Sequence, residues 1–505
     1  MIPGWRSFKK TVDLGELNAI KAEKTVRVVS RGAIENYIID WRNHQTIGHA
    51  GDLLSAAYVN DLYNEQGVIE AATFVLKSEK NIPATQLSIA KKILRQESPR
   101  TVLEKLKGVM VADFETLVKP ELIWRKIKFL KQSIQLCPFN AISYVDLSRQ
   151  YSILGQNDKA MRTMTIALSL APNNRFILRS AARLFAHCDD VEYAHDILRK
   201  SPLTANDPWI AASEIAIASL RGRSSKFIKK GIEMINSQNI ASVNLSELAS
   251  SIGTIELLNG SLKKSRKLFE TSLIEPNDNS LAQFEWAASK EKYLSMDVSK
   301  KKVHHNFEAL ALENFHNEDH VGSINNVFRW FLDMPFSKRP VMLGAHIASA
   351  HLDDQETSRA FLKAGLISHP NDAQLINNLV YSLALDNRTD EAIKYIESVP
   401  DEIPGEQITT ICLKATRGLI CFRKGFHEMG RAYYLDAIEQ SKVANNSYYN
   451  WLAILNYARE ELLIKSPQAT EVMTYVHLIP DENLSSDLAK LKSEVIDLHK
   501  QGNGG

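Results

Sequence analysis

Residues 141–174 read AISYVDLSRQYSILGQNDKAMRTMTIALSLAPNN. Tyr144, Leu147, Ser148 and Tyr151 recur at helical spacing and share one face of a first helix. Gly155 and Asn157 supply a turn. Ala160, Met164 and Ala167 then line a second helix, which Pro172 stops. The small residues Ser148 and Ala160 stand 12 apart. Small side chains at one point on each helix let two backbones approach closely, and the large residues beside them fill the remaining groove. The stretch therefore predicts an antiparallel helix pair.

The 12-residue interval recurs. It joins Ala182 to Ala194 in RFILRSAARLFAHCDDVEYAHDILRKS, Gly253 to Ser265 in SIGTIELLNGSLKKSRKLFETSLIEPND, and Gly418 to Gly430 in ATRGLICFRKGFHEMGRAYYLDAI. Ala160 to Ala194 and Pro138 to Pro172 each span one 34-residue period, and Pro208 to Pro276 spans two. A large residue, Leu, a small residue and an aromatic, followed by Ala, a large residue and Pro at this period, resembles the tetratricopeptide repeat. The resemblance implies an all-α fold, a right-handed α-solenoid of helix-turn-helix units. It also implies a non-enzymatic scaffold that holds protein partners in the groove lined by the first helices. The style of NNLVYSLALDNRTDEA and ATRGLICFRKGFHEMG resembles large bacterial members of the family.

Weaker copies extend the array. Residues 371–400 keep Ile376, Leu379, Leu383, Ala392 and Ile396 in register, with Val380 where a small residue is expected. Residues 339–370 and 206–241 fit loosely, 51–77 read as a further helix pair, and 278–335 do not fit. The expected organisation is an irregular segment over 1–45 and a first array over 46–290, clearest at 141–208 and 245–277. A charged hinge over 291–303 and a second array with capping helices over 304–500 follow, then a disordered tail over 501–505.

At 505 residues the chain is too long for one ordinary core. Its 16 prolines and 22 glycines leave little room for long linkers. No stretch approaches 18 uninterrupted apolar residues, so no membrane span is expected. The opening MIPGWRSFKKTVDLGELNAIKAEK lacks the apolar core of a secretory leader. Four scattered cysteines fit a reducing compartment, and a cytoplasmic location is expected. The net charge of +2 divides into +3 over residues 1–120, +6 over 121–300 and −7 over 301–505. Such asymmetry attracts partners of opposite charge, including a second copy of the chain.

No phosphate loop, nucleophile elbow or CxxC pair is present, and no cofactor is expected. ENFHNEDH would place His316 and His320 on one helical face near Glu313, after His304 and His305. That spacing suits zinc, but Asn317 stands where a metalloprotease needs Glu, and exposed histidines at a polar helix end are the plainer account of the pattern. Cys412 and Cys421 read as small residues packed within the last repeat.

Matching residues to the repeat places Arg149, Arg179, Arg183 and His187 along the groove of the first array. Asn377, Asn378 and Tyr381 line that of the second. Guanidinium groups in a row suit carboxylate or phosphate, so the first groove is expected to take acidic groups of a protein partner. The alternative is that these arginines pair with nearby acids. Arg221, Arg223, Lys226, Lys229 and Lys230 sit at one inter-helix turn, and Lys263, Lys264, Arg266 and Lys267 at the corresponding place one repeat later. Aligned, they form a basic edge able to meet nucleic-acid phosphates. No Tyr or Trp is interleaved among them to stack on bases.

Overall fold

A computed structural model describes residues 31–59, 62, 64–78, 82–94, 119–237, 239–294, 303, 305–482 and 484–503. Among them are 25 α-helices and no strand. The chain divides into two compact units, Met1–Pro340 and Val341–Gly505.

In the first unit, α1 (Arg31–His44), α2 (Ile47–Val59), α3 (Gln66–Lys77) and α4 (Ala84–Ile93) precede α5 (Pro120–Leu136). Hairpins follow: α6 (Ala141–Ile153) with α7 (Asn157–Leu170), α8 (Arg175–His187) with α9 (Val191–Lys200), and α10 (Pro208–Leu220) with α11 (Ile228–Asn236). They continue with α12 (Ser242–Leu258) and α13 (Leu262–Ser272), then α14 (Asp278–Lys290), then α15 (Phe307–His316) with α16 (His320–Asp333). Helix α17 (Lys338–His346) runs across the division. The second unit holds α18 (Gln355–Ser368), α19 (Ala373–Leu385) with α20 (Thr389–Ile396), and α21 (Gln407–Arg423) with α22 (His427–Val443). It closes with α23 (Ser447–Leu463), α24 (Ala469–His477) and α25 (Ser486–Asn503).

One local device builds most hairpins. The first helix ends on a left-handed residue, and the next N–H returns to a carbonyl five residues back, which satisfies an otherwise orphaned acceptor. It occurs at Gly155 with Gln156 N–H to Tyr151 O, and at Asp189 with Asp190 N–H to Phe185 O. It returns at Gly260, Glu318, Asn387 and Gly425. Many of the helices open on Asn or Asp caps such as Asn140, Asn174, Asp190, Asp207 and Asn446, each accepting a backbone N–H.

The small pairs do what their spacing predicts. Ser148 Oγ donates to Ala160 O at 2.9 Å and Ser265 Oγ to Gly253 O at 2.9 Å, across the interface of each pair. A Cβ on Gly418 would lie 3.1 Å from the Gly430 carbonyl and 2.9 Å from the Tyr434 ring. Residues 278–335, where no repeat is expected, nonetheless contain a hairpin of the same kind. Ser323 Oγ donates to Ala311 O at 2.7 Å, again 12 residues apart.

The expected boundaries shift. Residues 31–44 of the segment expected to be irregular form α1, and 1–30 lie outside the described residues. The 291–303 stretch lies inside the first unit, and the division falls at Pro340 instead. Residues 295–302 of that stretch lie outside the described residues. Helix α25 runs to Asn503, leaving Gly504 and Gly505 of the expected tail outside the described residues.

Candidate functional site

The arginine row of the first unit faces inward. Arg149, Arg179 and Arg183 are 5%, 2% and 9% exposed. Arg149 Nη1 donates to Asp146 Oδ1 at 2.9 Å. Arg179 Nη2 donates to Glu247 Oε2 at 2.5 Å, and its guanidinium stacks 4.4 Å from the Trp209 ring. Glu247 also accepts from Asn277 Nδ2 at 2.7 Å, so one carboxylate ties α8, α12 and the cap of α14. Arg183 lines a cavity of about 30 Å³ beside Glu247, room for about one water. His187 is half-buried, edge-on to Phe336 at 5.5 Å. These residues form a row, as their spacing predicts, but its charges are already engaged inside the protein. The expectation of a groove open to acidic partners is corrected here, because repeat positions that face a groove are covered by the next helix pairs.

The basic edge divides. Arg221 pairs with Glu192 and His195, Lys230 with Glu233 at 3.3 Å, and Arg266 with Glu270 at 3.2 Å. Arg223, Lys226, Lys229, Lys263, Lys264 and Lys267 stand at the surface, Lys226, Lys263, Lys264 and Lys267 among the turns and first residues of their helices. Within the first stretch Lys226 lies 5.0 Å from the Phe227 ring, and the fold adds Tyr293, 46% exposed, whose ring lies 4.9 Å from the Arg266 guanidinium.

The histidine cluster does not assemble on one helix. Helix α15 ends at His316, Glu318 turns left-handed, and His320 opens α16. His304 lies outside the described residues. Among the described residues no three His, Cys, Asp or Glu side chains gather as a metal site.

The second unit encloses a cavity of about 470 Å³. The first helices α19, α21 and α23 supply most of its wall, and α25 closes another side. Asn377, Asn378 and Tyr381, the three residues expected in this groove, all line it. Tyr381 donates to Asn456 Oδ1 at 2.9 Å, and Asn377 Nδ2 donates to Asn378 Oδ1 at 3.3 Å. Tyr434, Tyr448, Tyr449 and Arg459 also face the space. Helix α25 is fastened by Tyr448 donating to Asp487 at 2.6 Å and by a Lys490–Asp353 ion pair. Burial pushes the Cys412 thiol up to about 12, which keeps it protonated at neutral pH, and burial with Glu460 nearby raises Tyr434 well above a normal phenol. The cavity wall offers amides, phenols and one guanidinium, with His346, Lys490 and the carboxylates of Asp353, Asp487 and Glu494 also on it.

Arg459 and its partner Glu460 escaped the sequence reading, because NWLAILNYAREELLIK reads as a closing helix. The adjacent Arg-Glu-Glu was the available signal, but Arg423, the second partner of Glu460, comes from another helix.

No family model matches the chain, and no curated protein matches it. Among solved structures, the crystal structure of yeast Tom70 is similar over 93% of this chain and 97% of that one, at 12% identity and a TM-score of 0.29. So distant a likeness adds nothing to the fold read from the chain itself, and the comparisons lend no support to the bacterial resemblance. No helix among the described residues is long and apolar enough to cross a membrane.

Proposed function

We propose that the chain is a non-enzymatic scaffold, and that a segment of a protein partner enters the cavity of the second unit. The observation that carries this reading is the cavity itself. Its volume falls in the range of ligand sites, and it is lined by tyrosines and amides that suit peptide groups. The one thiol on its wall, Cys412, stays protonated. The arginines of the first unit act as internal ties that keep the helix pairs stacked.

The reading is tested by affinity capture from the native host, with nuclease present, using the full chain and Ala415→Trp. Ala415 lines the cavity and is half-buried, so the indole fills the space without entering the hydrophobic core. A stoichiometric protein captured by the parent and lost by the variant supports the reading. Its retention by the variant refutes it.

A second reading, a nucleic-acid-associated subunit, is favoured by Tyr293 standing exposed against Arg266 beside Lys263, Lys264 and Lys267. Stacking and phosphate contacts would then act together. Filter binding of single-stranded nucleic acid across a salt series tests it. Lys263→Glu with Lys264→Glu should lower the salt slope by roughly 0.7 for each phosphate the edge no longer neutralises. Unchanged binding removes this reading.

A further inference from the structure

The inner end of α23 carries more positive charge than its neighbours balance. Arg423 on α21 and Arg459 on α23 share one carboxylate, Glu460, which is 1% exposed. Arg423 Nη2 donates to Glu460 Oε1 at 3.0 Å, with Nε 2.7 Å from Oε2, and Arg459 Nε donates to the same Oε1 at 3.1 Å. The other contact of Arg423 is neutral, Nη1 to the Asn387 amide oxygen at 3.0 Å. Two guanidiniums therefore face one carboxylate, and a buried charge left unmatched is costly. Burial works against the Arg459 charge, but Tyr381, Glu460 and Tyr434 outweigh it and hold the group protonated.

Arg459 lines the cavity, and its Nη2 is buried with no hydrogen-bond partner. Asn377, 6% exposed, lines the same cavity with its Oδ1 likewise unpartnered. One is a charged donor and the other a neutral acceptor. Three acids also line the space: Asp353 pairs with Lys490, Asp487 accepts from the neutral Tyr448 and keeps its charge, and Glu494 is exposed. The two unmet groups thus call for an occupant that brings a carboxylate and an N–H donor together.

We infer that the cavity receives the partner segment through an aspartate or glutamate side chain, whose carboxylate accepts from Arg459 while a backbone N–H of the segment donates to Asn377. This rests on the reading of the cavity as the partner site and names the chemistry that the site selects. A charge-assisted pair out of water discriminates an acid from its amide, which has the same shape but no charge to meet the guanidinium.

The test uses two pools of N-acetylated, C-amidated hexapeptides with randomised flanks, one with Glu at the third position and one with Gln. Retention on the immobilised full chain is measured at moderate salt. The parent should retain the Glu pool about tenfold or more over the Gln pool. Arg459→Gln should abolish that preference while folding normally, because it leaves Arg423 and Glu460 matched one to one. Asn377→Asp, which places a carboxylate on the cavity wall, should weaken retention of the Glu pool as well. Equal retention of both pools by the parent overturns the carboxylate inference and spares the partner reading. Retention of neither pool overturns both. A Glu preference that survives Arg459→Gln also overturns the inference. Displacement of the Glu pool by sodium benzoate at equal concentration would assign the seat to small organic anions and overturn the peptide as occupant.

Discussion

Glu247→Gln is the sharpest probe of the first unit, because one carboxylate there ties three helices. Glu247 is 5% exposed and meets Arg179, which is 2% exposed, at 2.5 Å. The substitution keeps the volume and removes the charge. Breaking a buried ion pair from one side costs about 3–5 kcal/mol. Against this, the new amide oxygen still accepts from Asn277 Nδ2, which recovers about 1 kcal/mol. The net loss is about 2–4 kcal/mol. With a urea slope of about 3 kcal/mol per molar, the midpoint should fall by about 1 M. Far-UV circular dichroism reads the midpoint, and amide exchange should accelerate first in α8 and α12 rather than throughout. Glu233→Gln, which breaks an exposed pair with Lys230, is the control and should cost no more than about 1 kcal/mol. A midpoint shift below about 0.3 M for Glu247→Gln would refute the claim that this arginine row is a structural tie.

Two further outcomes follow from particular residues. Gly430→Ala places a Cβ 2.6 Å from the Phe422 ring and 3.1 Å from the Gly418 carbonyl, so α21 and α22 must separate. A loss of about 1–3 kcal/mol is expected in thermal melts, whereas Ala at Gly222, whose Cβ meets nothing within 4 Å, reports only backbone strain. Burial and Glu313 push the Glu285 carboxyl from 4.5 up to about 7. The folded state then holds a proton that the unfolded state has released, so stability falls as pH rises from about 4.5 to about 7 and levels off above. Glu285→Gln lacks this slope and should gain about 1–3 kcal/mol on the parent between about pH 5 and pH 8 in denaturant titrations.

The helix pairs are legible in the sequence because their two hardest constraints are local. Close approach demands small residues 12 apart, and the turn demands a left-handed residue. Where Ser148 faces Ala160 and Gly155 makes the turn, both marks are visible. Where α15 meets α16, Glu318 takes the left-handed turn and Asn314 stands at the aromatic position, so the pair is harder to see although Ala311, Ser323 and Pro335 keep the intervals. The arginine row is legible as a row, since residues four apart share a helical face. Its direction is not, because Glu247 lies 68 residues from Arg179 and reaches it only once α12 has packed. In the second unit, Asn377, Asn378 and Tyr381 line the cavity. The charge excess at Arg459 needs three dimensions, since Arg423 approaches Glu460 from a separate helix. Tyr293 escapes for the same reason: it joins the basic edge from beyond α14.

The central claim is that the cavity of the second unit holds a protein partner. The most direct measurement replaces Tyr381, a half-buried wall residue, with a photo-crosslinking phenylalanine analogue and irradiates the native host. One discrete protein adduct is expected, abolished when Ala415→Trp fills the space. No adduct, or one that forms equally well with the cavity filled, would contradict the account.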